Sequence, residues 1–406
     1  MTRTDRPTGT RPAPRGTALI SGAGIAGCAL AHWLDRAGYA VTVVEKSATL
    51  RSGGYPVDVR GTALDVVERM GLLPRLRDAH VGLRRLTFLN GDGSELTSLP
   101  PHAVTGGDAG RDLEIPRGEL TEALYATVRD RVEFVFDDRV DTLVETGHGV
   151  DVTFRSGTAR TFDLVLGADG THSRTREMLF GPEERFHHHL GHCFAVFTLP
   201  NTLALSHETV VWNTPGRAVA LYAVGDSDEV HAFLDFARPE PPRHVFGDQA
   251  AGQALLTEVF ADAGWRVPEI LTALHDADDV FLDAVGQIRM PRWTSGRAAL
   301  LGDAAYAPSF LTGQGTSLAL VGAYMLAASL AGHRDHTAGL AAYEHGTRPF
   351  VNLNQNLVGE GGATLFPATA EALARRNTRL RSLRTLPSPP PRPAHSSLTL
   401  PAFPAP

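Results

Sequence analysis

The pattern of apolar and polar positions predicts α/β structure at both ends of the chain and a β-rich segment between them. Residues 17–21 and 40–45 are short apolar or β-branched runs, and residues 25–37 between them have helical spacing that ends at Gly38. This order predicts a βαβ unit. Residues 190–236 contain four strand-like runs separated by turns, which indicates an inserted antiparallel sheet.

The last third of the chain returns to helical patterns. Residues 297–301 predict a final strand, residues 314–331 a long apolar helix and residues 336–358 another helix. Prolines are dense from residue 387 onward, so we expect no packed structure there.

Composition excludes several classes of function. The 406 residues are enough for two interleaved domains, and 43% of them are hydrophobic. The net charge is -7 with no basic block beyond the N-terminal stretch, so nucleic acid is a poor partner. No apolar run approaches the roughly 20 residues of a membrane helix, and residues 1–16 do not read as a secretory signal. Two cysteines fit a reducing compartment, so we expect a cytoplasmic protein, and no metal signature is evident.

The first motif is a G-x-G-x-x-G turn between the first strand and helix. Gly22 permits a tight turn, Gly24 allows close approach of a pyrophosphate, and Gly27 allows the helix to pack on the strand. Glu45 ends the second strand and can accept hydrogen bonds from a ribose diol. The predicted cofactor contacts here are Gly22, Gly24, Ile25, Ala26, Gly27, Glu45 and Lys46.

Two later motifs follow strands in the same manner. The middle one runs from Asp163 to Gly170 and contains Asp169, and Arg117 begins a helix upstream of it. The late motif begins with Gly302-Asp303, whose carboxylate can bind ribityl or ribose hydroxyls. A helix start after it can direct backbone donors at a flavin. Its predicted cofactor contacts are Gly302, Asp303, Pro308, Gly313, Gln314, Gly315 and Thr316.

In this order and at these distances the three motifs resemble those of the group A flavoprotein monooxygenases, the para-hydroxybenzoate hydroxylase-like aromatic hydroxylases. The resemblance covers residues 17 to 360, and residues 53–61 also resemble the tetracycline-degrading monooxygenases. It implies bound FAD, with NADPH or NADH as a transient cosubstrate and O2. It also implies that Arg117 and Asp169 support the cofactor. Arg51 lies just after the second strand, and we expect it to reach the adenine end of the cofactor.

The resemblance leaves several side chains with more than one role. Asp58 and Arg60 contact flavin or substrate, or pair with each other. Tyr306 stands where many members have histidine, and its hydroxyl either bonds flavin or substrate or only packs. Any of these, or His231, is a candidate catalytic residue, although the flavin itself carries the chemistry.

The resemblance implies a discontinuous, Rossmann-like FAD-binding domain of the GR2 type with an inserted, mainly antiparallel β-sheet substrate domain and C-terminal helices. We expect an FAD-binding domain of residues 17–75, 100–185 and 280–335, a substrate domain of 76–99 and 186–279, a helical segment of 336–385, and disordered tails of 1–16 and 386–406.

The inserted sheet is expected to cover the flavin ring with aromatic side chains, about half of which belong to the core because residues alternate along a strand. His231 is the polar candidate for holding a phenol or enol, with a structural histidine as the alternative. The substrate-binding candidates are Phe194, Trp212, Tyr222, His231, Phe233 and Phe310.

The function implied by the resemblance is hydroxylation of an aromatic or polycyclic compound of secondary-metabolite type, such as an antibiotic. NAD(P)H reduces the flavin, and O2 then forms a flavin C4a-hydroperoxide that delivers oxygen. The alternative is a cyclase of natural-product biosynthesis that contains FAD without using it in redox chemistry. A monomer and a homodimer are both compatible with the sequence.

Overall fold

The computed structural model describes residues 14–50, 54–384 and 390–404. Their strands are β1 (Thr17–Ser21), β2 (Ala40–Val44), β3 (Pro56–Val59), β4 (Arg85–Leu89), β5 (Glu95–Leu99), β6 (Leu113–Pro116), β7 (Glu133–Val135), β8 (Val140–Glu145), β9 (Val150–Phe154), β10 (Ala159–Phe162), β11 (Leu164–Gly167), β12 (His187–Pro200), β13 (Glu208–Thr214), β14 (Arg217–Ala223), β15 (Glu229–Ala237), β16 (Phe281–Ile288), β17 (Thr294–Ser295) and β18 (Ala298–Leu300). Their helices are α1 (Ile25–Arg36), α2 (Thr62–Arg69), α3 (Leu73–Asp78), α4 (Pro101–Thr105), α5 (Arg117–Ala126), α6 (Arg174–Phe180), α7 (Gln249–Phe260), α8 (Val267–Asp276), α9 (Asp303–Tyr306), α10 (Gly315–Gly332), α11 (His336–Gln355), α12 (Val358–Leu365) and α13 (Ala370–Leu383).

A six-stranded sheet forms the centre of the nucleotide-binding half. Its strand order is β17-β18-β11-β1-β2-β7, and all neighbours are parallel except the short edge strand β17. Parallel strands covered on both faces are continuous apolar runs, which is why β1 and β11 lack alternation. Helices α1 and α10 pack beside one another in the main core, and the antiparallel sheet β8–β10 packs in a second cluster with Leu19 and Val165. The Rossmann-like α/β prediction is therefore confirmed.

A seven-stranded sheet forms the second half, in the order β16-β12-β15-β14-β13-β4-β5. It is antiparallel except for the β13–β4 pair, as predicted for the inserted sheet. Alternate residues on its strands pack against α7 and α8 in one apolar cluster that includes Leu256 and Leu274. The opposite face of the sheet is directed toward the nucleotide-binding half and is called the cleft face below.

The predicted domain boundary at residue 280 is wrong for strand β16. Strand β16 lies within residues 280–335, yet it pairs with β12 at the edge of the seven-stranded sheet. Residues 281–288 complete hydrogen bonds that the edge of β12 would otherwise leave open, and this long-range pairing leaves no local sequence signal. Strands β4 and β5, within residues 76–99, are also in this sheet. The other boundaries remain a proposal.

The expected C-terminal disorder is wrong for residues 390–404. Leu400 is 6% exposed in the main core, and the ring of Phe403 lies 4.9 Å from that of Trp33. The hydroxyl of Tyr324 donates to the carbonyl of Pro401 over 2.6 Å. Prolines in this segment do not prevent packing, because its apolar side chains cover α1 and α10. Residues 14–16 also join the fold, since Gly16 accepts a hydrogen bond from Ala40.

The packed tail predicts a measurable loss of stability on truncation of one side chain. Leu400→Ala is expected to lower the free energy of unfolding by roughly 2–3 kcal/mol, because it leaves a cavity in the core. Urea unfolding measures this, and Leu353→Ala is the control, since that side chain is 48% exposed. Equal stabilities of the two variants would contradict the packing of the tail.

Helix α10 is a described helix long and apolar enough to cross a bilayer by length and composition alone. In this fold 72% of it is buried inside the protein, and it packs against α1, α2 and α11. These are the properties of a core helix.

Candidate functional site

The first glycine-rich turn is folded as a cradle with an open side. Gly22 has φ +105°, and a Cβ there would lie 2.6 Å from the carbonyl oxygen of Ala168. A Cβ on Gly27 would lie 1.8 Å from the carbonyl oxygen of Gly22, whereas one on Gly24 would meet no protein atom within 4 Å. The start of α1 has no side-chain cap, so its first N–H groups are directed into that open space. A phosphate group fits there.

Glu45 lies beside this turn at the end of β2. Its two carboxylate oxygens accept hydrogen bonds from the backbone N–H groups of Ala23 and Ser47, both over 2.9 Å. Each oxygen keeps a further lone pair for a ribose hydroxyl. Lys46 is exposed, and Ile25 and Ala26 are the first two residues of α1. The predicted contact Arg51 lies outside the described residues.

The late motif lies beside the first glycine-rich turn. A Cβ on Gly302 would lie 3.0 Å from that of Ala26, so the start of α9 approaches the start of α1. Gly313 has φ +63° and precedes α10, whose N-terminus has no side-chain cap. Pro308 is buried and Thr316 is half-buried in the first turn of α10. The two uncapped helix starts therefore belong to one continuous region.

The carboxylate of Asp303 and the guanidinium of Arg117 carry opposite charges, and neither side-chain group forms a hydrogen bond with any described residue. Burial raises the pKa of Asp303, and the guanidinium of Arg117 opposes this. Asp303 also lies near the start of α10, since a Cβ on Gly315 would be 3.9 Å from its carboxylate. Two charged groups left without such partners indicate a polar ligand.

Further polar atoms without hydrogen-bond partners lie in the turn that precedes α10. Gln314 is fully buried, and its Oε1 has no hydrogen-bond partner among the described residues. The same holds for the hydroxyl of Ser309, which has φ +73°, a strained conformation for a residue with a side chain. A ring with amide and carbonyl groups, such as that of a flavin, fits these unmet hydrogen bonds.

The middle motif holds the other two together. The carboxylate of Asp169 accepts hydrogen bonds from the hydroxyl of Ser173 and from both the backbone N–H and hydroxyl of Thr175, so it is occupied within the protein. Arg176, with no exposed surface, donates to the carbonyl of Ala304 over 3.1 Å and to Glu183 over 2.7 Å. The second motif thereby fixes the position of the third.

Asp303→Ala is expected to weaken FAD binding by roughly 1–3 kcal/mol, because it removes a buried hydrogen-bonding carboxylate. Titration of the apoprotein with FAD, followed by flavin fluorescence, measures the change in Kd. Asp130→Ala, at an exposed position on the surface, is the control and is expected to have no effect. The same Kd in both variants would remove Asp303 from the flavin site.

Asp58 and Arg60 pair with each other, which was one of the alternatives. Their ion pair is 2.7 Å long, and Arg60 is 7% exposed. Glu114 faces Asp58 across the β3–β6 ribbon, and burial together with the charge of Asp58 raises its pKa to about 7. The hydroxyl of Tyr222 faces Glu114, and burial and that carboxylate both raise its pKa. The sequence offered no signal for Glu114, because its partners come from distant strands.

The cleft face of the seven-stranded sheet carries most of the predicted substrate residues. Phe194, Tyr222, His231 and Phe233 lie on it, and the ring of Phe194 is 4.7 Å from that of Phe310 in the late motif. Phe233 is 5.2 Å from Tyr55. The aromatic candidates and the turn before α10 thus face one another.

Two predicted side chains point elsewhere. Trp212 lies on the opposite face of the sheet, where it stacks on Trp265 and donates to the carbonyl of Gly91, so its assignment to the substrate is wrong. Tyr306 is 1% exposed and its hydroxyl bonds that of Tyr343 over 3.1 Å. This burial and this hydrogen bond favour the packing alternative for Tyr306.

The His231 side chain has one long hydrogen bond among the described residues. Its Nδ1 lies 3.4 Å from the hydroxyl of Thr198, and burial lowers its pKa, with the charge of Asp279 opposing. A better supported histidine on the same face is His192, whose Nδ1 is 3.0 Å from Asp235. No local pattern in the sequence marks this pair, because Asp235 lies 43 positions away on another strand.

Two cavities among the described residues do not include the glycine-rich turns, although the second is lined by Tyr306 of the late motif. One of about 470 Å³ is on the outer side of the seven-stranded sheet, beside α8, and includes Leu199 and Ile270. The other, of about 340 Å³, includes Arg289 and Arg348. Neither cavity contains a glycine of the glycine-rich turns. The candidate site is therefore identified by its uncapped helix starts and unpartnered polar groups and not by the volume of a cavity.

His172 joins the two halves of the molecule. It lies 3.0 Å from Glu183 and 3.0 Å from Asp283 on β16. Its hydrogen bonds to Asp283 and Glu183 raise its pKa from 6.5 to about 10. Because the pKa is higher in the folded state, the stabilisation is complete below pH about 6.5 and is lost as the pH rises toward about 10.

His172→Gln is therefore expected to remove part of the alkaline loss of stability. Urea unfolding at pH about 6.5 and about 10 is the measurement. The variant is expected to be less stable than the wild type at the lower pH and to approach it at the higher one. A constant difference between the two proteins at both pH values would show that His172 does not titrate in this range.

Comparison with known proteins agrees with this geometry. Residues 15–356 match a family model described as "FAD binding domain". The chain is 43% identical over 354 residues to an uncharacterised protein of Mycobacterium tuberculosis, Rv1260, covering 86% of this chain and 95% of the relative. It is 37% identical over 363 residues to a flavin-dependent monooxygenase of an unknown prokaryotic organism, covering 88% and 93%.

A solved structure is similar over nearly the whole chain. The crystal structure of the tetracycline destructase Tet(55) has a TM-score of 0.82 and 34% identity, covering 97% of this chain and 100% of that one. The fold and the three turns define an FAD-binding enzyme. The chain belongs to the group A flavoprotein monooxygenase family and is an FAD-dependent monooxygenase.

Proposed function

We propose that the protein hydroxylates an aromatic or polycyclic small molecule, with NADPH or NADH as the electron donor and O2 as the oxygen source. The observation that carries the proposal is the row of aromatic rings on the cleft face. The ring of Phe194 contacts that of Phe310 in the late motif, and the ring of Phe233 contacts that of Tyr55. Planar rings pack favourably in such surroundings. The similarity to Tet(55), a tetracycline destructase, supports a polycyclic substrate.

The residues present fit FAD. The open side of Gly24 and the start of α1 would hold the diphosphate, and Glu45 would bind the adenosine ribose. Asp303 and Arg117 would contact the ribityl and phosphate segment. The uncapped start of α10 would face the flavin ring, where its positive end stabilises negative charge. Bound FAD would supply hydride acceptance and oxygen transfer.

The chain itself contributes position and exclusion of water. Aromatic side chains on the cleft face orient a planar substrate, and the buried pair of Asp58 and Arg60 holds the β3 segment beside it. Glu114, with its pKa near 7, is a group that can exchange a proton at neutral pH. We also propose a cytoplasmic location, supported by two buried free cysteines. We leave monomer and homodimer as alternatives.

Incorporation of labelled oxygen tests the proposal. The purified holoenzyme is given NADPH or NADH, ¹⁸O2 and a panel of polycyclic phenols that includes tetracycline, and products are analysed by mass spectrometry. The proposal predicts a product with one ¹⁸O atom and oxidation of the nicotinamide. A cyclised product without ¹⁸O and without nicotinamide oxidation would favour the alternative, a cyclase that does not use the flavin in redox chemistry.

A further inference from the structure

His192 lies on the cleft face, at the edge of the aromatic surface. Its neighbour Cys193 packs on the opposite side of β12 with the core under α7 and α8, so the alternation of the strand directs His192 toward the cleft. The His192 ring is 6.2 Å from that of Phe366, which is 5.9 Å from Phe310. A substrate ring that packs on this aromatic cluster would have His192 at its margin.

Asp235 fixes the orientation of His192. Its Oδ1 is 3.0 Å from Nδ1 of His192, and Asp235 is only 2% exposed on the adjacent strand β15. An Nδ1–H that donates to the carboxylate leaves Nε2 as the acceptor. The Nε2 atom forms no hydrogen bond with any described residue, and the side chain of His192 is 15% exposed.

The surrounding charges leave Asp235 as the partner of His192. The charged groups that act on the neighbouring residue Cys193 are Asp235 on β15, Arg238 after β15 and Asp283 on β16. Asp283 is already bound by His172. The second oxygen of Asp235 has no partner among the described residues, and burial raises the pKa of this carboxyl, with His192 opposing.

We propose that His192 accepts the proton of an aromatic or enolic hydroxyl of the substrate, and that Asp235 is its positioning residue. The proposal rests on the proposed function, because an ionised oxygen makes a ring carbon more reactive toward an electrophilic oxygen. The substrate O–H bond breaks and an Nε2–H bond forms, with no change in oxidation state. The imidazolium then returns the proton to solvent at its exposed edge.

Alizarin is the probe, a planar three-ring phenol whose visible absorbance moves to longer wavelength on ionisation. It is titrated against pH while bound to the FAD-loaded wild type, His192→Gln and Asp235→Asn. The control is His188→Gln, an exposed histidine on the same strand. FAD content and thermal unfolding check the fold of each variant. His192→Asn, which retains a polar group near the position of Nδ1, is the second substitution if His192→Gln does not fold.

The proposal predicts that alizarin ionises at a pH about one unit lower in the wild type than in His192→Gln, roughly a tenfold change in the equilibrium. Asp235→Asn is also expected to raise the pH at which bound alizarin ionises above that of the wild type, with little change in alizarin affinity. His188→Gln is expected to match the wild type. A purely structural pair would leave the midpoint unchanged. Equal midpoints in the wild type and His192→Gln, or no binding of alizarin to the wild type, would overturn the proposal.

Failure of this proposal is distinguishable from failure of the proposed function. Reduction of the flavin by NADPH and by NADH, and uptake of O2, are measured on the same proteins. If both occur but the alizarin midpoint does not depend on His192, only the role of His192 is rejected. If alizarin ionises in a His192-dependent way but the flavin is never reduced, the oxygenase function is rejected and the proton acceptor stands.

Discussion

Gly24→Val is expected to abolish retention of FAD while leaving the fold intact. A Cβ at this position would meet no protein atom within 4 Å beyond the adjacent residues, and the backbone is extended, with φ -77°, so we expect the apoprotein to accommodate the valine. That room is where the diphosphate would approach the start of α1. Flavin content after gel filtration, measured by absorbance, and thermal unfolding of the apoprotein are the two readouts.

Two other glycines give the contrast. Gly147→Val also enters open space, but on the exposed turn between β8 and β9, and is expected to retain FAD. Gly22→Val would force a Cβ to within 2.6 Å of the Ala168 carbonyl and is expected to unfold the βαβ unit. Normal flavin content in Gly24→Val would remove the diphosphate from this turn.

Arg176→Met is expected to have the second large effect, on stability and on flavin together. The guanidinium has no exposed surface and bonds Glu183 and the carbonyl of Ala304 in the late motif. Removing it leaves a partly buried carboxylate without this cation, a change that typically costs about 3–5 kcal/mol in a buried pair. Because α9 loses its anchor, FAD affinity is expected to fall as well.

Arg174→Met is the matched control on the same helix. Arg174 is 44% exposed and pairs with Asp141 over 3.2 Å, so its removal is expected to change the free energy of unfolding by less than about 1 kcal/mol. Urea unfolding and FAD titration compare the two variants. An Arg176→Met protein as stable as Arg174→Met would mean that the buried network does not hold the second and third motifs together.

The features predicted well from the sequence are local ones. The turns at Gly22 and Gly302 and the βαβ order follow from residue types close together in the chain, so they can be read without tertiary information. The strand-like runs of residues 190–236 also predicted a mainly antiparallel sheet, which the structure has over His187–Pro200 and Glu229–Ala237 among its strands. FAD as cofactor was implied by the family resemblance that the three turns carry.

The missed features depend on pairing between distant segments. Alternation predicts that half of a strand faces the cleft, but not which half, and Trp212 was assigned to the wrong face for this reason. Glu114 and Asp235 owe their surroundings to residues on other strands. The density of prolines predicted that the C-terminal segment would not pack. The apolar surface that Leu400 covers includes α1, which is more than 300 residues away in the sequence.

The most direct test of the central claim is anaerobic titration of the FAD-loaded protein with NADPH and then NADH, with and without tetracycline and other polycyclic phenols. The absorbance of oxidised flavin is followed throughout. We predict that one of the nucleotides removes this absorbance, and that a bound phenol accelerates the change. A flavin that stays oxidised with both nucleotides and every phenol tested would contradict a monooxygenase that uses NAD(P)H.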